Sequence, residues 1–550
     1  MKKHIIRPGV IAFLACMAAS CYHPRTDDNK VLYNGIILPA EWPPRYSPEQ
    51  SQYRTVPWLE SKPEVIPVDL GRQLFIDDYL IEETDMVTVY HEANYYSDNP
   101  VLEPDRNWEI TSDGVPYSAP FSDGIWYDEK ARKFKMWYLT GGASVGKKFC
   151  TAYAESDNGK NWKKPVQDIV PGTSIVDTNE RDAATLWLDK QEQDPGKRFK
   201  FFNVEKNQDN NSWQFILKYS SDGIHWSKSV AQSGAILDRS SAYFNPFRQV
   251  WCLSLRQPIP KSSRSRAYLE APDPETAVSM AHRIRLEIAD KNVVFWFSAD
   301  SMEQRHPDYP EVNPGIYHFD CIPYESIILG QYSVWQGPDN QKCEELGVQK
   351  RNEVMLGYSR DGFHFHRPVH SPFLPVCPQA DAWNWGNVQS ITGTPLVVGD
   401  SLYFYVSGRR LNPFYWDGYS SCGLATLRRD GFASLRASGK TCHLLTETIV
   451  FHGKYLFVNA KVEGQLKIDV VSENGSILQD GPSLSNIDST RLLVMPVQRF
   501  AGKRVKLRFS MTNGDIYSFW ISPWDSGESQ GYTAGGGPGL SPDGIDRPLQ

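Results

Sequence analysis

One short motif recurs through the middle of this chain and limits what it can fold into. It reads Ser156-Asp157-Asn158-Gly159-Lys160-Asn161-Trp162, then Ser220-Ser221-Asp222-Gly223-Ile224-His225-Trp226, then Ser359-Arg360-Asp361-Gly362-Phe363-His364-Phe365, with a degenerate copy at Arg429-Asp430-Gly431-Phe432. An Asn-Gly or Asp-Gly pair supplies the positive φ angles of a type I′ turn. Each copy follows alternating strand residues such as Tyr153-Ala154-Glu155 or Leu356-Gly357-Tyr358, so each predicts an antiparallel hairpin. The four glycines are separated by 64, 139 and 69 residues. The middle interval is about twice the others, which places one more unit between Gly223 and Gly362. Its strands are visible at Ser241-Ala242-Tyr243-Phe244 and Val250-Trp251-Cys252-Leu253-Ser254-Leu255. Five units, each long enough for a four-stranded sheet and none able to bury both faces alone, predict a β-propeller.

Blade one is expected near Ile125 to Asp128 with Phe134 to Tyr138, and blade two at Ala183 to Leu188 with Phe199 to Phe202. The hidden unit is blade three, and Pro274 to Ile288, with helix-like polarity, is an excursion from it. Blade four takes Tyr324 to Trp335 with Glu353 to Tyr358, and blade five takes Val388 to Val398 with Leu402 to Val406. Gln73 to Tyr79 has no partner nearby and is expected to close the ring against the last blade. From about Ser438, short alternating strands between Gly and Asn turns predict a β-sandwich. The expected fold class is all-β, a five-bladed β-propeller followed by a C-terminal β-sandwich. Residues 71–437 form the propeller, 438–522 the sandwich, and 523–550 a Gly-rich tail with too few apolar residues to fold alone.

With 58 basic against 65 acidic side chains, a net charge of −7 and no basic run longer than a pair, the chain is unsuited to a nucleic-acid backbone. Lys2, Lys3 and Arg7 precede an apolar run from Val10 to Ala19, too short for the ~20 residues that cross a bilayer, and Ala18-Ala19-Ser20-Cys21 closes it. This is an export signal, and Cys21 resembles the lipidated cysteine of a bacterial lipoprotein. Residues 1–21 are read as signal and anchor, and 22–70, polar and Pro-rich, as a tether. An outer-membrane or cell-surface lipoprotein is expected. Ala18, where Leu is usual, leaves plain cleavage and a periplasmic or secreted protein as the alternative. The other cysteines outside the signal are scattered, odd in number and without C-x-x-C spacing, so they are read as buried apolar residues with one disulfide open to them. No metal motif, phosphate loop or Ser-His-Asp signature appears. Neither metal nor cofactor is expected, and the chain is expected to act as a monomer.

In a propeller the innermost strands converge on one axial funnel, so polar residues at their starts share a pocket. Those positions give Asp123, Asp182, Asp238, Asp320, Glu325, Asn387 and Gln389. Several carboxylates at one mouth suit glycoside hydrolysis, in which one acid protonates the leaving oxygen and one carboxylate attacks or activates water. Each alone is equally an ordinary turn cap. Glu325 stands out between Tyr324 and the apolar Ile327-Ile328-Leu329, where burial should raise its pKa and hold its proton. It is the expected general acid. Asp182 and Asp238, beside Arg181 and Arg239, are the expected base or transition-state carboxylates, with Asp320 as substitute. Trp383, Trp385 and Trp416 offer faces for sugar rings, or fill space between blades. Asn384, Asn387 and Gln389 suit hydroxyl recognition. Arg239 and Arg248 suit a carboxylated sugar, with salt bridging to a neighbouring acid the simpler reading.

These residues resemble the five-bladed propeller glycosidases of the invertase, levansucrase and arabinanase superfamily, glycoside hydrolase families 32, 43 and relatives. The resemblance rests on Arg72 to Ile81, Trp108-Glu109, Lys135-Met136-Trp137-Tyr138, Asp238-Arg239-Ser240-Ser241, Tyr324-Glu325-Ser326 and Ala382 to Ser390. It implies an exported glycosidase acting on a polysaccharide or oligosaccharide. Arg181-Asp182-Ala183 is similar to the family's Arg-Asp-Pro, whose Asp stabilises the transition state. The family's Asn-Asp-Pro-Asn-Gly nucleophile stretch corresponds to Ala119-Pro120-Phe121-Ser122-Asp123-Gly124, with Phe121 at the nucleophile's place. No Glu-Cys acid pair occurs, and Glu325 is expected to serve instead. Phe121 keeps a rival open, a carbohydrate-binding propeller without hydrolysis.

Overall fold

The computed structural model describes residues 31–48, 55–207, 209–260, 262–284, 290–411 and 419–549. Strand pairing divides most of 94–428 into five antiparallel units. Blade one runs outward from Ser118–Asp128 through Lys133–Gly141 and Phe149–Ser156 to Ile175–Asp177. Blade two is Arg181–Leu188, Phe199–Lys206, Trp213–Ser220 and Ala231–Gln232, and blade three is Ser241–Asn245, Val250–Ile259, Ser262–Ala271 and Val294–Phe297. Blade four is Gly315–Glu325, Ile327–Gly337 and Arg351–Ser359, with an irregular outer edge bridged at His366 and Leu374. In blade five, Asn387–Gln389, Ser401–Arg410 and Tyr419–Arg428 are completed by Asn94–Tyr95 from the N-terminal side. The excursion from blade three holds a helix, Pro274–Met280, capped by the Asp273 carboxylate on the Thr276 amide at 2.7 Å.

Ring closure therefore differs from expectation. Asn94–Tyr95 pairs with Ala425 and Thr426, whereas Gln73–Leu74 pairs with Phe519 and Ser518 of the sandwich. The strands of the described segment from Gln73 to Tyr90 pair with the sandwich sheet, while Trp42 and Tyr46 ahead of them pack against the propeller. Ile81–Thr84 pairs with Cys442–Thr446, and Val87–Tyr90 with Ala433–Ala437. The start of the propeller at 71 is corrected accordingly. So is the loose tether over its described part, because Ile36, Val56, Trp58, Ile66 and Val68 are buried in the sandwich core with Leu444, Leu456 and Phe509. The prolines of that segment set its path, and the apolar residues between them hold it down. Cys21 lies outside the described residues. Six of the seven described cysteines are buried, and none of the seven is in a disulfide.

The repeated motif works differently from a type I′ turn. Only the glycines have positive φ, +73° at Gly159, +83° at Gly223 and +84° at Gly362. The serine hydroxyl accepts the glycine amide, at 3.0, 2.9 and 2.8 Å for Ser156, Ser220 and Ser359. The Asn158, Asp222 and Asp361 side chains each accept the two amides after the glycine. The loop so fixed turns the glycine carbonyl toward the preceding blade. Trp137 Nε1 donates to Gly223 at 2.7 Å, Tyr243 Oη to Gly362 at 3.2 Å, and Tyr405 Oη to Gly159 at 2.6 Å. The repeat is thus a clasp between blades, and the last of these contacts spans the seam between blades one and five.

The tail folds against the rest of the protein instead of alone. Tyr532–Thr533 pairs with Glu325 and Tyr324, and the Gly535 and Gly536 carbonyls accept from Tyr127 and Val397 amides at 2.9 and 2.8 Å. A side chain at Gly535 would place its Cβ 1.8 Å from the Gly393 carbonyl oxygen, so its glycine content lets the backbone lie flush on the propeller. Removal of residues 523–550 should lower the melting temperature of the whole protein, read by circular dichroism. An unchanged melt would show the tail to be a passenger.

Candidate functional site

The two ends of the propeller carry different chemistry, and strand direction decides which residue belongs to which. Inner strands begin at the mouth, where Ser118, Arg181, Ser241, Gly315 and Asn387 lie, and end at the base, which faces the sandwich and the tail. Glu325 is the last residue of blade four's inner strand, so it is a base residue, contrary to its expected role as acid at the mouth. Its side chain is 1% exposed and pairs with Arg429 at 3.0 Å and Arg72 at 3.4 Å, and it accepts from Ser529 Oγ at 2.6 Å and the Arg72 amide at 3.1 Å. Burial does raise its pKa, against the pull of Arg429 and Arg72. That proton affinity sits in a closed network with no path to the funnel.

Asp320 also lies away from the mouth. It is midway along blade four's inner strand, buried on the axis, accepting from Ser390 Oγ at 2.6 Å and Ser122 Oγ at 3.0 Å, so hydroxyls of blades five and one close around it. Burial raises its pKa. It is a plug of the channel and is corrected from a substitute acid. Asp123 lies in a bulge of blade one, pairs with Arg181 at 2.9 Å, and is pushed up to about 6 by burial.

The mouth brings together Asp182, Asp238 and Arg239, as expected. The Arg239 guanidinium lies 3.4 Å over the Phe121 ring centroid and 5.3 Å from that of Tyr317, and meets Asp182 at 3.2 Å. Asp238 pairs with Arg256. Burial alone would favour its neutral form, but Arg256, Arg239 and Arg264 together hold the carboxyl below its usual range. Asp182 and Asp238 keep side-chain exposures of 17% and 22%, enough for a ligand to reach both. Phe121 occupies the floor as an aromatic platform, so its presence at the family's nucleophile position reflects packing under Arg239.

Sequence reasoning missed Tyr317, Arg256, Arg264, Lys350 and Arg409. Tyr317 lies on the floor with Arg264 4.1 Å and Lys350 5.7 Å from its ring centroid. Burial raises a phenol, but Arg239, Lys350 and Arg264 reverse this and pull Tyr317 down to about 8. The available signal was the run of arginines Arg256, Arg264 and Arg266, on two strands that end and begin at the mouth.

On the blade-five side, Gln389 Nε2 donates to Asn387 Oδ1 at 2.8 Å. Asn387 Nδ2, Gln389 Oε1 and both side-chain atoms of the neighbouring Asn352 are buried without a hydrogen-bond partner. Buried orphans of this kind are rare and call for an explanation. Trp383 is a space-filler, wedged where Gly408 and Gly423 leave room and edge-on to Tyr95 at 5.5 Å. Trp385 is half-buried in the loop before blade five, Asn384 Nδ2 donates to the Pro375 carbonyl, and Trp416 lies outside the described residues. Arg248 pairs with Glu270, the simpler of its two readings. One group with the spacing of a cation site occurs among the described residues, Asp300, Glu303 and His370. Arg367 spans both carboxylates at 2.6 and 2.7 Å and already supplies the positive charge there.

No family model matches the chain, and no curated protein matches it. Among solved structures it is similar to a glycosyl hydrolase from Bacteroides ovatus, with 12% identity, a TM-score of 0.38, and coverage of 66% of this chain and 97% of that one. It is also similar to a β-fructofuranosidase from Schwanniomyces occidentalis complexed with fructosyl-erythritol (9%, 0.36, 82% and 99%). A third is an N-acetylgalactosamine deacetylase from F. plautii in complex with blood group B trisaccharide (11%, 0.37, 66% and 97%). These scores carry no argument about the site, which rests on its own geometry.

Glu325→Ala should cost about 3–5 kcal/mol of stability, because it takes the shared carboxylate from the buried Arg72 and Arg429 and leaves them only Asp430 and Asp546. Urea unfolding measures this. A variant as stable as the parent would remove the structural role assigned to Glu325.

Proposed function

We propose that this chain is a glycosidase whose active site is the funnel mouth, with Asp182 and Asp238 as its carboxylate pair. The observation that carries this reading is their placement: both are solvent-reaching, both stand just before or at the start of inner strands of adjacent blades, and both flank Arg239 over an aromatic floor. A sugar seated over the Arg239 guanidinium, which covers the Phe121 ring, presents its glycosidic bond to both. Asp238, held ionised, is the base or nucleophile. Asp182, beside Arg239, is the carboxylate that meets positive charge developing at the anomeric carbon. The proton donor that Glu325 cannot supply is then Tyr317, protonated at neutral pH yet more acidic than an ordinary phenol. Asn387 and Gln389, with their unmet hydrogen-bonding atoms, receive sugar hydroxyls.

Asp238→Asn and Tyr317→Phe should each lower release of reducing ends from a susceptible oligosaccharide by about 10²-fold or more while binding persists. Activity should fall as pH rises through about 8, where Tyr317 loses its proton. The acid limb should lie below the ordinary carboxylate range, because Asp238 is held ionised there. A profile flat across pH 8 in wild type removes Tyr317 as donor.

A second reading, a carbohydrate-binding propeller without hydrolysis, is favoured by a specific observation. The mouth carboxyl pushed up to about 6, Asp123, is walled in by Arg181 and Phe121 and is 1% exposed. Binding of oligosaccharides with no cleavage of any of them would decide for that reading.

We further propose that the chain is exported and anchored through a lipid on Cys21, on the basic n-region, the short apolar run and the small residues before that cysteine. Cys21→Ala should move the protein from the membrane fraction to the soluble one. Unchanged fractionation removes the anchor.

A further inference from the structure

The protein as a whole is acidic, with net charge −7, yet its funnel mouth is not. Among the described residues, Arg181, Arg239, Arg256, Arg264 and Lys350 stand around the Phe121 and Tyr317 rings with the carboxylates Asp123, Asp182 and Asp238. The carboxylates are matched one to one by Arg181, Arg239 and Arg256. Arg264 is not matched: among the described residues no carboxylate lies within ion-pair distance of it, and its Nη1 is buried without a hydrogen-bond partner. Lys350 reaches the same ring and donates to Asn340 Oδ1 at 3.2 Å, and Arg409 donates to Tyr117 Oη at 3.0 Å.

The geometry of these guanidinium groups matters as much as their number. Arg239 over Phe121 and Arg264 over Tyr317 lie close above aromatic rings, which leaves their N–H edges for a planar anion. The excess charge is felt by its neighbours: it draws Tyr317 down to about 8 and adds to burial in pushing His318 well below its ordinary value. A neutral sugar gains nothing from a half-buried guanidinium that lacks a counter-charge, whereas an anionic substituent on the ring supplies the missing partner.

We propose that the mouth selects a negatively charged sugar residue, its carboxylate or sulfate ester received by Arg264 and Lys350 above the Phe121 and Tyr317 rings that Arg239 and Arg264 cover. The proposal rests on the mouth being the carbohydrate site. It adds the substrate class, an acidic glycan bearing uronate or sulfate.

The test uses the full chain and paired probes in calorimetry. One pair is uronate-containing oligosaccharides against the same oligosaccharides with their carboxyl groups reduced to alcohols. The other is sulfated oligosaccharides against their desulfated forms. At least one anionic probe should bind tenfold or more tightly than its neutral counterpart, weaken as salt rises, and lose tenfold or more in Arg264→Met and in Lys350→Met. The melting temperatures of both variants should stay near that of the parent. Which pair discriminates tells carboxylate from sulfate. Equal binding of charged and neutral members, failure of both anionic probes to bind, or full binding by both variants overturns the proposal. Charge-dependent binding without cleavage leaves this inference standing and removes the glycosidase reading. Cleavage confined to neutral probes does the reverse.

Discussion

A buried knot of charge at the base of the propeller holds the molecule together. Arg72 pairs with Asp430 at 2.9 Å and lies 4.1 Å over the Trp520 ring, and Arg429 pairs with Glu325 at 3.0 Å and Asp546 at 3.3 Å. Tyr324, Ser518 and Ser529 hydroxyls and the Asn459 amide fill remaining lone pairs of these carboxylates. Five stretches of chain meet there: the N-terminal segment, the blade-four hairpin, the exit of blade five, the sandwich and the tail. Buried ion pairs gain little over apolar packing, but removing one partner is expensive, so the knot acts mainly to specify one arrangement of these segments.

Because the base is closed by this knot, function is left to the opposite end. There the charges are half-exposed and out of balance. Arg239 and Arg264 both hold Asp238 ionised and make Tyr317 acidic, so the protonation states of the two groups are set by one cluster. A change to any of its members shifts both.

Much of this was legible in the sequence, and the misreadings have physical causes. Gly159, Gly223 and Gly362 mark blades one, two and four because each carries the clasp to the preceding blade, whereas at Gly431 it is Asp430 that takes the positive φ. Asp182, Asp238 and Arg239 were found because they sit just before or at a strand start. Glu325 was misplaced because blade four's first strand was read as beginning at Tyr324 when it ends there. A displacement of one strand in an antiparallel sheet moves a residue from one end of the propeller to the other. Lys350 and Arg409 carry no local signal, since their meeting with Arg264 depends on the curvature of three blades. Trp383 reads as a sugar platform until Gly408 and Gly423 show the space it fills.

The interleaving of the two folded units has a consequence for how the chain is made. Gln73 and Leu74 wait for Phe519 and Ser518, Asn94 and Tyr95 for Thr426 and Ala425, and Arg72 for Asp430, Thr490 and Trp520. Neither the ring nor the sandwich is complete until the ribosome has released nearly the whole polypeptide, and contacts so distant in sequence form slowly. The early segments stay extended through most of synthesis, with their apolar strand edges unsatisfied. A chain that finishes folding only late in synthesis depends on protection from aggregation until then.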